Sequence, residues 1–210
     1  GDFKLLRSLY VALTGRCEMP RLSTLGAWNS KYYPYTDKEA LQVLADYDSH
    51  DYPLDNLVID TDWRTDANGW GYDVNTKLFP DMQGFLAKVH AHNVDVMFND
   101  HPEPQDGCTS CIDPKEVAYR TEHLAEHLDN GLDMWWYDRN WLTALVSPTS
   151  KIKCETLGMY LFYDITKHFY QRKANNNTIY RRPDIMANVD NIANGTYVAI
   201  NSSASHRYPI

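Results

Sequence analysis

Apolar and polar positions change their spacing several times along this chain, and each change marks the border of an element. Short apolar runs that end in acidic, amide or aromatic residues recur, and most are followed by a stretch with helical spacing. Leu25 to Ser30 is the first such run. Thr36-Asp-Lys-Glu39 then supplies a cap residue with a glutamate three places on, the capping-box arrangement, and predicts a helix to about Ser49. Asn56 to Trp63 reads as a second strand, and Pro80 to His92 as a helix with Met82, Phe85, Leu86 and Val89 on one face. Val94 to Asp100 predicts a third strand. Asp113 as cap and Pro114 at the first position predict a helix to about Asn130. Leu132 to Asp138 is the fourth strand, Leu157 to Lys173 an amphipathic helix and Asp184 to Val189 the fifth strand, while His206 to Ile210 reads as the start of another.

Alternating strands and helices predict a parallel α/β architecture. A doubly wound sheet gathers its functional residues at one switch point, and no GxGxxG follows the first strand. A (β/α)8 barrel draws on the carboxyl end of every strand. Trp28, Asp60, Asp62, Asp100 and Asp138 are all read at that relative position. The expected fold is therefore a partial (β/α)8 TIM barrel of about the first five to six βα units, occupying residues 1–210 as one domain.

Composition narrows the partners. With 210 residues and 43% hydrophobic content, the chain can bury one sizeable core. A formal charge of -8 and scattered basic residues argue against nucleic acid and point to a neutral or cationic partner. No run reaches the eighteen or so apolar residues of a membrane span, so no membrane partner is expected. The start Gly1-Asp-Phe-Lys suggests a piece of something longer. Cys108-Thr-Ser-Cys111 is a lone CxxC, for which a loop disulfide or free thiols is a better reading than zinc or redox chemistry. The fifteen tyrosines and six tryptophans fit carbohydrate handling and equally fit an aromatic core.

The run Gly131 to Trp141 carries the sharpest chemical signal. Asp138 ends an apolar strand inside a set of flat rings, Trp135, Trp136, Tyr137 and Trp141, on which a pyranose can stack; the alternative is a core strand whose last residue caps a turn. Glycosidic cleavage needs two carboxyl groups, about 5 to 5.5 Å apart in retaining enzymes. Asp138 is the candidate nucleophile. Asp60 and Asp62, two residues apart, are expected on one side of the second strand, where they can accept from sugar hydroxyls. His101 can donate to a hydroxyl or ligate a metal, but no second histidine stands at ligand spacing, and neither a metal nor a cofactor is expected. A serine hydrolase would carry a G-x-S-x-G elbow, and none is present.

Ordered landmarks across nearly the whole chain make it resemble glycoside hydrolase family 31, the family of α-glucosidases, α-xylosidases and α-transglucosylases. They are Leu13-Thr-Gly15 with Met19-Pro20, Leu25-Gly-x-Trp28, Val58-Ile-Asp-x-Asp-Trp63, Phe79-Pro80-Asp81, Trp136-Tyr-Asp138, Arg182-Pro183 and His206-Arg-Tyr-Pro209. The resemblance implies an α-linked oligosaccharide or glycoside as substrate and a retaining mechanism through a glycosyl-enzyme on Asp138. It implies that Trp28 and Asp60 line the subsite of the sugar to be transferred; Asp62, Asp100, His101, Trp136 and Arg207 are the further candidate sugar contacts. Family members carry the general acid in a Trp-Ser/Thr-Gly-Asp segment after the Arg-Tyr landmark, so the acid and the closing strands are expected in the remainder of the same polypeptide. Two departures stand out: Asp138-Arg-Asn-Trp141 replaces Asp-Met-Asn-Glu, and Ala187-Asn-Val-Asp190 lacks the arginine many members carry on the fifth strand. Both weigh against simple α-glucosidase specificity, and the Asn99 to Pro104 loop is more like members that transfer α-glucosyl units. The alternative expectation is a non-catalytic carbohydrate-binding barrel fragment.

Overall fold

Six parallel strands lie side by side in chain order in the computed structural model, which describes residues 1–16, 19–65, 71–102, 114–138, 154–176, 181–187 and 199–201. They are β1 (Trp28–Lys31), β2 (Asn56–Ile59), β3 (Asp95–Asp100), β4 (Met134–Tyr137), β5 (Ile185–Ala187) and β6 (Ala199–Asn201). After α1 (Phe3–Thr14), four helices each link one strand to the next: α2 (Asp37–Ser49), α3 (Met82–His90), α4 (Pro114–Asp129) and α5 (Cys154–Asn175). Strictly sequential parallel order is that of a barrel wall and not of a doubly wound sheet, as expected from the recurring strand-end residues. The chain is a partial (β/α)8 barrel.

Alternation along the strands divides the side chains between two faces. Leu57, Ile59, Val96, Phe98, Trp135, Tyr137, Ile185 and Ala187 face outward into the main core, which the helices complete with Leu44, Phe85, Leu86, Val89, Leu124, Phe162 and Tyr163. The inward residues Val58, Met97 and Met134 form a separate small cluster with Trp28, Trp136 and Met186 packed on it. Register confirms the layer: Val58 pairs with Met97, and Met97 with Met134.

Local chemistry explains the element borders. Thr36 and Glu39 form the expected reciprocal capping box at the start of α2. The second strand ends at Ile59, earlier than its apolar run suggests, because the Asp60 carboxylate accepts the Thr61 N–H at 2.7 Å and opens a 3₁₀ turn over Thr61–Trp63. The first strand starts late, at Trp28, because Ser23–Leu25 is also a 3₁₀ turn. Helix α1 and strand β6 are additions to the sequence reading. Asp2 caps α1 by accepting from the N–H groups of Lys4 and Leu5, a signal visible in the sequence and not used. Strand β6 pairs with β5 through Ile185 and Ala199; the strand start expected at His206 to Ile210 lies outside the described residues.

The amino-terminal ends of the strands are tied together by one arginine. Arg21 donates its backbone N–H to Asp184 Oδ2 at 3.0 Å, Nε to the Arg182 carbonyl at 2.7 Å and Nη2 to the Asp133 carbonyl at 3.2 Å. Its guanidinium also lies over the Tyr170 ring, 5.0 Å from the centroid. Asp133 in turn accepts the Val96 N–H at 2.8 Å, lies 2.7 Å from His90 Nε2 and pairs with Arg181. These contacts floor the sheet between the segment before β1 and those before β4 and β5.

Two stability predictions follow from this packing. A Cβ on Gly158 of α5 would collide with the hydroxyl and ring carbons of Tyr137. Gly158→Ala is therefore expected to lower stability by roughly 1–3 kcal/mol through overpacking, although alanine is the better helix former; a rise in denaturation midpoint would contradict this. Burial pushes the Asp184 carboxyl from 3.8 up to about 6, against the opposing pull of the Arg21 N–H and guanidinium. A folded value raised above the unfolded one gives stability that is complete below pH 3.8 and is lost as pH rises through about 6. Asp184→Asn is expected to remove this loss, so that its advantage over the wild type grows by roughly 1–3 kcal/mol between pH 4 and pH 7 in thermal melts.

Candidate active site

The inward alternation that places Val58, Met97 and Met134 in the waist brings Asp60, Asn99 and Trp136 one layer higher, and His101 and Asp138 above them. Asp60 immediately follows β2, and Asp138 immediately follows β4. Asn99 stands between them on β3. Its Nδ2 donates to Asp60 Oδ1 and to Asp138 Oδ2, each at 3.0 Å, so one amide spends both hydrogens on two carboxylates. His101 Nε2 lies 3.0 Å from the same Asp138 Oδ2. An ionised carboxylate only accepts, so the imidazole that bonds to it carries its proton on Nε2. The Asp138 backbone N–H is held by the Asp100 carbonyl at 3.0 Å, which continues the β3–β4 ladder to the residue itself.

All four side chains are nearly closed off: Asp60 is 5% exposed, Asn99 1%, His101 3% and Asp138 8%. Burial raises the Asp60 carboxyl above its usual range, and the Asp138 charge adds to the rise. The Thr61 N–H, Asn99 and His101 pull it back. The group therefore sets two acids close together and supplies donors to both, which offsets part of the cost of burying two carboxyl groups side by side.

The other expected site residues fall differently. Asp100 is fully buried on the opposite face of β3, where it pairs with Arg64 at 2.7 Å and accepts from the Tyr72 hydroxyl at 2.6 Å. It does not line the inner face, because its neighbours Asn99 and His101 do and alternation turns it outward. Trp28 begins β1 rather than ending it and pairs in register with Asn56, four residues before Asp60, so it lies about 13 Å lower along the strand. It packs on the waist, and its Nε1 donates to the Thr24 carbonyl at 3.2 Å. Asp62 is half-buried on the 3₁₀ turn, where strand alternation no longer applies, so it does not share a strand face with Asp60 as expected.

Of the rings, Trp136 faces inward beside Asn99 and Met186, whereas Trp135 and Tyr137 are fully buried in the outer core and offer no face to a sugar. Trp63 is core as well, stacked on Phe98 at 4.9 Å. Arg207, Trp70, Trp141 and the Cys108–Cys111 pair lie outside the described residues. Among the described residues no three His, Cys, Asp or Glu side chains are grouped to hold a metal ion. Asn99 and Arg64 are the polar residues that sequence reasoning missed. The alternation used to aim Asp60, applied to β3 from Met97, assigns Asn99 and His101 inward.

A partial parallel barrel with paired carboxylates at the carboxyl ends of its strands is the class of protein these features define. Residues 17–106 match the model of the glycosyl hydrolases family 31 TIM-barrel domain. The alpha-xylosidase XylQ of Lactiplantibacillus pentosus is 26% identical over 131 residues, covering 61% of this chain and 16% of that protein. The fold matches the GH31 alpha-xylosidase of Xanthomonas citri with a TM-score of 0.66 at 19% identity, over 90% of this chain and 25% of that one. It matches the GH31 dextranase of Flavobacterium johnsoniae, complexed with isomaltotriose, with a TM-score of 0.68 at 14% identity, over 89% and 28%. The resemblance to glycoside hydrolase family 31 is borne out. The chain spans about a sixth of the curated relative it matches and about a quarter of these two solved structures.

Asn99→Ala removes the donor common to both carboxylates. We expect the Asp60 carboxyl to titrate higher than in the wild type, since Asn99 holds it down, and stability to fall by about 1–3 kcal/mol for the buried acceptors left without a partner. A ¹³C-carboxyl NMR titration reads the first, and an unchanged or lower Asp60 midpoint would contradict it.

Proposed function

We propose that this chain is the amino-terminal and central part of the catalytic barrel of a retaining α-glycosidase or α-transglycosylase. The observation that carries this reading is Asp138 itself: it leaves β4 on the inner face with Asn99 and His101 both donating to Oδ2. Donors of that kind keep a carboxylate ionised and fix its direction, which is what a nucleophile that attacks a sugar carbon requires. In the reaction an Asp138 oxygen bonds to the anomeric carbon while the bond to the leaving oxygen breaks and a carboxylic acid elsewhere in the polypeptide protonates that oxygen. Water or a second sugar, deprotonated by the same acid group, then releases the glycosyl-enzyme. Asp60 accepts from hydroxyls of the sugar being transferred, and the inward Trp136 supplies an apolar face beside it.

The similar proteins are named for several sugars: xylosidases, one of them an alpha-xylosidase, a dextranase and a cycloalternan-degrading enzyme from Trueperella pyogenes, the last also captured with a covalent intermediate. An α-linked oligosaccharide is the substrate class they support. The general acid and the remaining wall are assigned to further strands of the same polypeptide, and the 210 residues alone are expected to leave aryl α-glycosides unhydrolysed.

The test is covalent trapping in a longer polypeptide that includes the closing strands. After treatment with 5-fluoro-α-glucosyl fluoride or 5-fluoro-α-xylosyl fluoride, mass spectrometry is expected to place a glycosyl adduct on Asp138, and Asp138→Ala to abolish it. An adduct on another carboxylate, or binding of α-glucan with no adduct from either reagent, would reject Asp138 as nucleophile.

A further inference from the structure

Three consecutive residues of β3 and its exit, Asn99, Asp100 and His101, are each gripped from behind by the dipeptide Trp63-Arg64. Trp63 Nε1 donates to the Asn99 carbonyl at 2.7 Å. Arg64 Nη1 donates to Asp100 Oδ1 at 2.7 Å and to the Gly71 carbonyl at 3.2 Å, and Nη2 reaches the His101 carbonyl at 3.4 Å. Asp100 is steadied further by the Tyr72 hydroxyl, which itself accepts from Arg120 Nη1 at 2.6 Å, and Arg120 is paired with Glu116 at 2.6 Å.

The Arg64–Asp100 pair is sealed, with both side chains 0% exposed. Taking two full charges out of water costs several kcal/mol each in general, and well-packed apolar residues often serve stability as well or better. Behind the pair, Trp63 packs against Phe98, Tyr72 and His127, and on its other side Arg120 Nη1 lies 3.9 Å from Asp100 Oδ2. Asp100 already has a second cation in Arg120, so charge balance alone does not require Arg64. What the ion pair adds is direction: a planar fork with fixed donors sets the backbone of one particular residue, His101, while holding the side chain of the residue before it.

On the other face, Asn99 and His101 are the two donors to Asp138 Oδ2. We propose that Arg64 is a positioning residue for Asp138, acting through the Asp100 carboxylate and the His101 carbonyl to hold the Asn99 and His101 side chains against the carboxylate. The proposal rests on the reading of Asp138 as nucleophile, and it assigns Asp100 a role behind the site instead of a contact with sugar. Lysine at position 64 keeps a cation beside Asp100 but lacks the fork that also reaches His101.

The experiment compares wild type, Arg64→Lys and Arg64→Met in the longer polypeptide that includes the closing strands. Crystal structures give the His101–Asp138 distance, and the rate of labelling by a 5-fluoro-α-glycosyl fluoride gives the chemistry per folded molecule. In Arg64→Lys we expect His101 to leave hydrogen-bonding distance of Asp138 and labelling to slow by about 100-fold with KM little changed, the size of loss a displacement of about 1 Å at a reacting group produces. Arg64→Met, which leaves Asp100 buried beside an apolar chain, should lose stability as well, and Arg64→Lys keeps the test valid if that variant does not fold. A folded Arg64→Lys protein with the 3.0 Å contact intact and wild-type labelling overturns the proposal. If the wild type takes no label, the nucleophile reading fails, and the His101–Asp138 distance in Arg64→Lys still decides what Arg64 holds.

Discussion

A strand residue can face only one of two ways, and almost everything in this molecule depends on which way the residues of β2, β3 and β4 were sent. Their outward positions are apolar without exception up to Ile59, Phe98 and Tyr137, so the helices have one continuous surface to cover. That burial fixes the register, and the register fixes the inward set. A slip of one residue on β4 would put Tyr137 among the carboxylates and drive Asp138 into the helix layer, which no hydrogen bond could offset. The site is therefore held by the core behind it, through Leu57, Val96 and Trp135, more than by contacts within it.

Three levels stack along the strand direction. Ionic ties lie at the amino ends, with Arg21, Asp133 and Asp184; a waist of Val58, Met97 and Met134 lies above them; and the polar group of Asp60, Asn99, His101 and Asp138 forms the top. This division between a structural end and a chemical end is the usual economy of parallel barrels. Here the structural end is itself highly charged, which makes it sensitive to pH while the waist is not. The apolar waist also separates the two sets of charges, so the titration of Asp184 and that of Asp60 are expected to proceed with little mutual influence.

Much of the fold was legible because its strongest signals are local. The capping box at Thr36, the helical stripe of α3 and the apolar runs of β2 to β4 each carry their meaning within ten or fifteen residues. What escaped was where a run stops. Asn56 to Trp63 is apolar enough to read as one strand, but the Asp60 side chain captures the Thr61 N–H and turns the chain, a competition between side chain and ladder that composition does not reveal. The same limit produced the misplacement of Asp62 and Trp28. Asp60, His101 and Asp138 stood out as candidates because an ionisable residue after an apolar run is conspicuous. Asn99 is uncharged and so inconspicuous although alternation from Met97 turns it inward, and Arg64 sits past a strand in a loop, so only the folded structure reveals its bonds to Asp100 and the His101 carbonyl. Asp100 turns away from the inner face, against the expectation for an acid at a strand end, because its neighbours Asn99 and His101 already hold that face.

The Arg21 floor has a consequence in time. Arg21 precedes the first strand, yet its partners Arg182 and Asp184 come some 160 positions later. At ribosomal speeds of about 5 to 20 residues per second, on the order of ten to thirty seconds separate the emergence of this arginine from that of the groups it binds. Strands β1 to β4 can pair in that interval, each new one finding its neighbour already made. The floor is then a clasp that records whether the fifth strand has reached its place, and nascent chains halted before Asp184 would carry β1 to β4 with Arg21 tied to the Asp133 carbonyl but lacking its Asp184 partner.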